Sequence, residues 1–143
     1  MTWTEVFKLS EAVTSIATVV LVFLVWRQIR LAGKQATTTF EDGLTEQYRR
    51  IMENIPTDIW LGSELKALNE ECRDRCRDAI YRYIDLSNEQ AFLHNKKRVT
   101  DEAWIEWSDG IKLNMKLSAF AEVWTQVKEK CPASFKKLRV LVG

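Results

Sequence analysis

From Ala12 to Trp26 the chain carries no charged residue, and Trp3 and Trp26 bracket that run, with Arg27, Arg30 and Lys34 directly behind it. Val19, Val20, Leu21, Val22, Phe23, Leu24, Val25 and Trp26 follow one another without a polar face. A helix on the surface of a soluble domain keeps a polar side, so the pattern predicts a helix surrounded by lipid. The uncharged run is short for the ~20 residues that cross a hydrocarbon core. Its flanks supply the rest: Trp3 and Trp26 would stand about 35 Å apart on a helix rising about 1.5 Å per residue, which sets two indoles at opposite interfaces. Lys8 and Glu11 then fall inside the aromatic belts, Lys8 with a stem long enough to snorkel.

Cations concentrate after the run, so the positive-inside rule predicts an external N-terminus and a cytoplasmic C-terminal domain at a bacterial inner membrane. Glu5 and Glu11 before the run, and Trp26-Arg27 at its end, depart from a cleavable signal peptide. Within the anchor, Ser10, Thr14 and Thr18 recur every four residues as one small, weakly polar stripe. Such stripes let helices approach closely in lipid and point to a homo-oligomer; the alternative is that the hydroxyls satisfy their own helix carbonyls.

Beyond the anchor, Ile29, Ala32, Ala36, Phe40, Leu44, Tyr48, Ile51 and Ile55 keep a three-and-four spacing, which predicts that the helix continues as a stalk. Thr37, Thr38, Thr39 and Gly43 are weak helix formers, the place for any bend or hinge, and Pro56 marks the end. A second amphipathic helix is expected from Leu65 through Cys72, Cys76, Ile80, Tyr83 and Ile84 to Leu93. Thr100 before Asp101 and Glu102 reads as an N-cap for a helix that buries Trp104 and Ile111 and stops between Gly110 and Asn114. Leu117, Phe120, Trp124, Val127 and Cys131 predict another helix, closed by Pro132, and Ser134 caps a last turn with Phe135 and Leu138. No segment alternates at period two for long. The expected fold is all-α: an anchor over residues 1–27, a stalk helix over 28–56 and a compact cytosolic helical domain over 57–143.

Lys and Arg number 21 against 20 Asp and Glu, a net charge of +1. That balance argues against a general binder of duplex nucleic acid. Three cysteines in a cytosolic domain imply free thiols rather than a disulfide framework. His94 is the only histidine, and no phosphate-binding glycine loop, nucleophile elbow or His-Glu-x-x-His motif is present. No enzyme and no cofactor are therefore expected. Cys72, Cys76, His94 and Cys131 lack the tight Cys-x-x-Cys turn common in zinc sites and read as core residues, so no metal is expected. Glu102 and Glu106, four apart, read as a solvated helix face.

Candidate ligand-binding residues are Arg73, Arg77 and Arg82, together with the run Lys96, Lys97 and Arg98. Guanidinium forks match phosphate geometry, and a symmetric oligomer multiplies a modest basic patch around its axis. The alternative is a solvated face on which Arg73, Arg75 and Arg77 pair with Glu70, Glu71, Asp74 and Asp78.

The string from Asp101 through Trp104, Trp107 and Gly110 to Ile111, followed by Phe120, Trp124 and Cys131-Pro132-Ala133-Ser134-Phe135, resembles the C-terminal half of uncharacterised small bacterial single-pass membrane proteins. In layout the chain is also similar to the membrane-anchored effectors of type III CRISPR antiviral defence. That likeness implies a cytosolic domain that binds a cyclic oligoadenylate and an anchor that then disturbs the membrane. The function so expected is an oligomeric sensor and effector taking an anionic nucleotide messenger; the alternatives are a membrane-tethered scaffold for a protein partner and a holin-like pore former.

Overall fold

A computed structural model describes the backbone of residues 2–143 and the side chains of residues 2–4 and 13–143. The described chain is all-helical, with no strand among the described residues. Helix α1 spans Trp3–Met52, α2 Thr57–Trp60, α3 Glu70–Asn95, α4 Asp101–Asn114, α5 Ser118–Lys130 and α6 Lys136–Val142; a 3-10 turn at Leu65–Ala67 precedes α3. The chain divides into two compact units, Met1–Thr38 and Thr39–Gly143.

The first unit is helical from Trp3 onward, and its apolar side chains are uncovered: Val19 is 69% and Val22 64% exposed. By length and composition this is the one helix among the described residues able to cross a membrane. Thr18 Oγ1 donates to the Thr14 carbonyl at 2.9 Å, a bond within its own helix. Ser10, Lys8 and Glu11 lie outside the residues whose side chains are described.

Residues 37–43, the place for any bend or hinge, are assigned to helix α1. Thr37 and Thr38 hydroxyls donate to the carbonyls of Gly33 and Lys34, offsetting part of the weak propensity of these residues. The boundary between the two units falls between Thr38 and Thr39. The compact helical unit therefore starts well before the expected residue 57. The physical reason is the apolar stripe itself: Leu44 is buried with Leu86, Leu93 and Val99, while Tyr48 and Ile51 pack on the core. Helix α1 stops at Met52, a turn short of Pro56, and Pro56 instead opens α2, where its missing N–H is no loss.

Helix α3 is the centre of the second unit, packed by the 3-10 turn, α4, α5 and α6. Its core face carries Cys76, Ile80, Tyr83 and Ile84 against Ile59, Leu65, Phe120, Val123, Trp124 and Leu138. Tyr83 and Trp60 stand at ring-centroid distances of 5.2 and 5.1 Å from Phe120, the Tyr83 pair edge-to-face. The helix begins at Glu70 rather than near Leu65 because the Asn69 side chain accepts the Cys72 amide at 2.9 Å and caps it.

Thr100 caps α4 as expected, accepting from Ala103 N at 3.3 Å. Within α4, Ile111 and Ser108 are buried, whereas Trp104 is only half-buried, its indole stacked on His94 at 4.7 Å. Helix α6 corrects the expectation for Ser134. Its N-cap residue is Phe135, in the left-handed region at φ 58° and without a side-chain bond. Asn88, a residue of α3, supplies the acceptor instead: its Oδ1 receives the amides of Lys137 and Leu138 at 3.1 and 3.2 Å.

Candidate functional site

The six basic residues singled out in the sequence do not form one site. Arg73 to Arg82 occupy the first half of α3 and Lys96 to Arg98 follow its end, so Arg82 and Lys96 lie about 20 Å apart along the helix. Arg73 is engaged in structure: Nε and Nη2 donate to the carbonyls of Leu65 and Leu68 at 3.2 and 2.8 Å, tying the 3-10 turn to α3. Arg77 Nη1 pairs with Asp74 at 3.0 Å, while its buried Nε has no hydrogen-bond partner among the described residues.

Lys96, Lys97 and Arg98 close α3. Lys96 is the C-cap, Lys97 takes the left-handed conformation at φ 54°, Lys97 N donates to His94 O at 2.8 Å and Arg98 N to Leu93 O at 3.0 Å. That pair of bonds is the Schellman stop, with lysine where glycine is usual. Arg98 also lies over the Phe40 ring at 5.6 Å and Lys96 over Phe92 at 5.7 Å.

Arg82 alone of the six lines a cleft together with further arginines. On one flank of the α1 segment in the second unit, Arg50, Ile51 and Asn54 face Arg75, Asp78, Ala79 and Arg82 of α3 around a cleft of about 250 Å³. Three guanidinium groups against one carboxylate make its lining cationic. Arg50 pairs with Glu46 at 2.5 Å and Arg75 with Glu71 at 3.7 Å, both in solvent, where such pairs contribute little and break readily. Arg50 and Arg75 were absent from the candidate set because the cleft needs two helices, and spacing along one helix does not report the other. The Arg75–Glu71 and Arg77–Asp74 pairs follow the solvated-face alternative; Arg73 does not.

The opposite flank of the same α1 segment holds a larger pocket, of about 410 Å³, lined by Thr45 and Tyr48, by Tyr83 and Gln90 of α3, and by Glu106, Trp107, Gly110, Ile111 and Asn114 of α4. Tyr83 accepts from Asn114 Nδ2 at 3.0 Å, and its ring lies 6.0 Å from that of Tyr48. Burial pushes the Tyr83 phenol up to about 12, against the partial opposing effect of the Asn114 bond, so it stays a neutral donor. Gln90 is 5% exposed as a residue and lines this pocket, but its amide is not among the fully buried polar atoms that lack a partner. The buried side-chain atoms without a partner among the described residues are Arg77 Nε, His94 Nδ1 and Trp124 Nε1.

No family model, no curated protein and no solved structure matches this chain.

Neither pocket carries a nucleophile paired with a base. Cys72, Cys76 and Cys131 are free thiols, and burial raises Cys76 to about 11, the opposite of what a reactive thiolate requires. His94 Nδ1 stands 3.9 Å from Asp101 and stacks on Trp104, apart from any cysteine or serine hydroxyl in the hydrogen bonds of the described residues. No group of three or more His, Cys, Asp or Glu gathers as metal ligands among the described residues. Glu102 and Glu106 are exposed, and Glu106 stands at the rim of the larger pocket. What the two pockets offer chemically is recognition: a charged cleft for phosphate-like groups, and an aromatic-walled pocket with amide edges.

Proposed function

We propose that the protein is a membrane-anchored oligomeric sensor at a bacterial inner membrane, with its N-terminus outside. Its cytosolic helical unit binds an anionic nucleotide messenger of the cyclic oligoadenylate class, and the response passes along α1 to the anchor. The observation that carries this reading is that one helix bears both ends of such a device. The uncovered apolar run sits in the N-terminal part of α1, and Arg50, near its C-terminus, forms one wall of the arginine cleft.

Exposed valine, leucine and phenylalanine over five turns of helix are costly in water and favourable in lipid. Guanidinium forks from Arg50, Arg75 and Arg82 suit bidentate phosphate contacts, which are among the stronger hydrogen bonds proteins make. A ligand held there touches α1 and α3 together. It changes the state of the anchor to the extent that it binds the two states with different affinity. Assembly through the Thr14 and Thr18 face would multiply the cleft by the number of subunits. The defence setting follows from layout alone, and an antiviral locus beside the gene is what it requires.

Full-length protein in lipid nanodiscs, titrated with cyclic oligoadenylates of different ring size, tests the reading. Saturable binding is expected, and the double substitution R75E/R82E weakens it at least tenfold while leaving thermal unfolding unchanged. Equal affinity of the variant, or no binding at any ring size, overturns the messenger. Membranes washed in alkaline carbonate retain the chain; release into the supernatant overturns the anchor.

A further inference from the structure

We infer that the pocket between the α1 segment, α3 and α4 is a base-binding site for a 6-aminopurine ring. This rests on the reading of the ligand as a nucleotide, yet it concerns a different pocket and a neutral part of the ligand. The pocket lies on the other flank of α1 from the arginine cleft, and it contains no arginine or lysine among its lining residues.

Gln90 supplies the first argument. Its side chain lines the pocket, no hydrogen bond to it is found among the described residues, and a carboxamide presents an adjacent donor and acceptor. That edge matches the N6 donor and N7 acceptor of adenine, the pairing by which Gln and Asn read that base elsewhere. Glu106 at the rim is an acceptor for the same exocyclic amine and repels phosphate, so the ring rather than the phosphate enters. A 6-oxopurine places an acceptor where these groups need a donor.

The walls supply the second. Tyr48 and Trp107 bound the pocket with aromatic surface, on which a base stacks favourably. Tyr83 adds a third ring to the lining, its hydroxyl oxygen accepting from Asn114 Nδ2. At about 410 Å³ the space falls within the about 300–1,000 Å³ typical of small-molecule sites and exceeds what one purine requires.

The test uses full-length protein in nanodiscs, with adenosine and inosine as probes, followed by calorimetry. Adenosine is expected to bind at least tenfold more tightly than inosine, and Gln90→Leu to abolish that binding. Gln90→Leu leaves the thermal midpoint without ligand unchanged or higher, because it keeps the volume and no bond of the fold is lost. Absence of adenosine binding, equal binding of inosine, or undiminished binding by a folded Gln90→Leu protein each overturns the base site. A Gln90→Leu protein that is less stable overturns it as well, since the amide then serves the fold. Cyclic oligoadenylate binding that survives while adenosine binding is absent leaves the arginine cleft standing and removes only this pocket. Adenosine binding without cyclic oligoadenylate binding supports the pocket and removes the messenger.

Discussion

Glu41 Oε1 accepts the backbone amide of Thr100 at 2.6 Å, joining residues that lie 59 positions apart. Thr100 in turn caps α4 through its hydroxyl, so one carboxylate on α1 holds the residue from which α4 starts. Substitution of Glu41 by Ala is expected to lower stability by about 1 kcal/mol, the low end for a charge-assisted bond because the site is partly in solvent. For a unit of this size that is a fall of about 4–8 °C in the thermal midpoint, and Glu41→Gln, which keeps an acceptor, loses less.

Lys97 holds φ at 54°, a conformation that glycine adopts without strain. Lys97→Gly is therefore expected to stabilise the protein by a few tenths to about 1 kcal/mol despite removing a cation from a basic run. Chemical denaturation would show a higher midpoint with an unchanged slope, and oligoadenylate affinity would stay as it was. A destabilised Lys97→Gly protein would remove the Schellman reading of this turn.

Arg73 serves the fold rather than a ligand, since both donating nitrogens are engaged by Leu65 and Leu68. Arg73→Ala is expected to cost about 1–3 kcal/mol and to expose the 57–69 region to limited proteolysis, with no specific effect on ligand affinity. Lysine at this position recovers only part of the loss, because a single ammonium lacks the fork.

The Cys76 thiol, raised to about 11 chiefly by burial, and the Tyr83 phenol, raised to about 12 by the same cause, both favour the protonated native state. Their contribution is complete below the ordinary thiol range, and it declines as pH climbs through about 9 to 12, because the unfolded chain loses these protons first. Equilibrium unfolding at stepped alkaline pH should trace that decline. In the native protein iodoacetamide should modify Cys76, which is fully buried, more slowly than Cys72 and Cys131, which are partly accessible.

Much of the helical plan is legible in one dimension. The three-and-four spacing of Leu44, Tyr48 and Ile51, the cap at Thr100 and the break before Pro132 all correspond to observed features, because each depends on neighbours within a turn or two. The ligand residues are another matter. Arg73 and Arg77 share a helix face, but whether a guanidinium is spare depends on carbonyls such as those of Leu65 and Leu68, which periodicity does not register. Gln90 carries no signal at all in sequence, being one polar residue on an amphipathic helix. Its place in a pocket emerges only when Tyr48 and Trp107, from two other helices, line the same space. Asn88, too, caps a helix that begins nearly fifty residues later.

The place where the compact unit starts has a practical corollary for anyone wishing to handle it in plain buffer. A fragment cut at residue 57 discards Leu44, Tyr48 and Ile51 and leaves Tyr83, Leu86 and Leu93 facing water, so it should precipitate or scavenge detergent. Trimming at Thr39 keeps the native wall, the Glu41 tether and both pockets, and drops only the greasy leader.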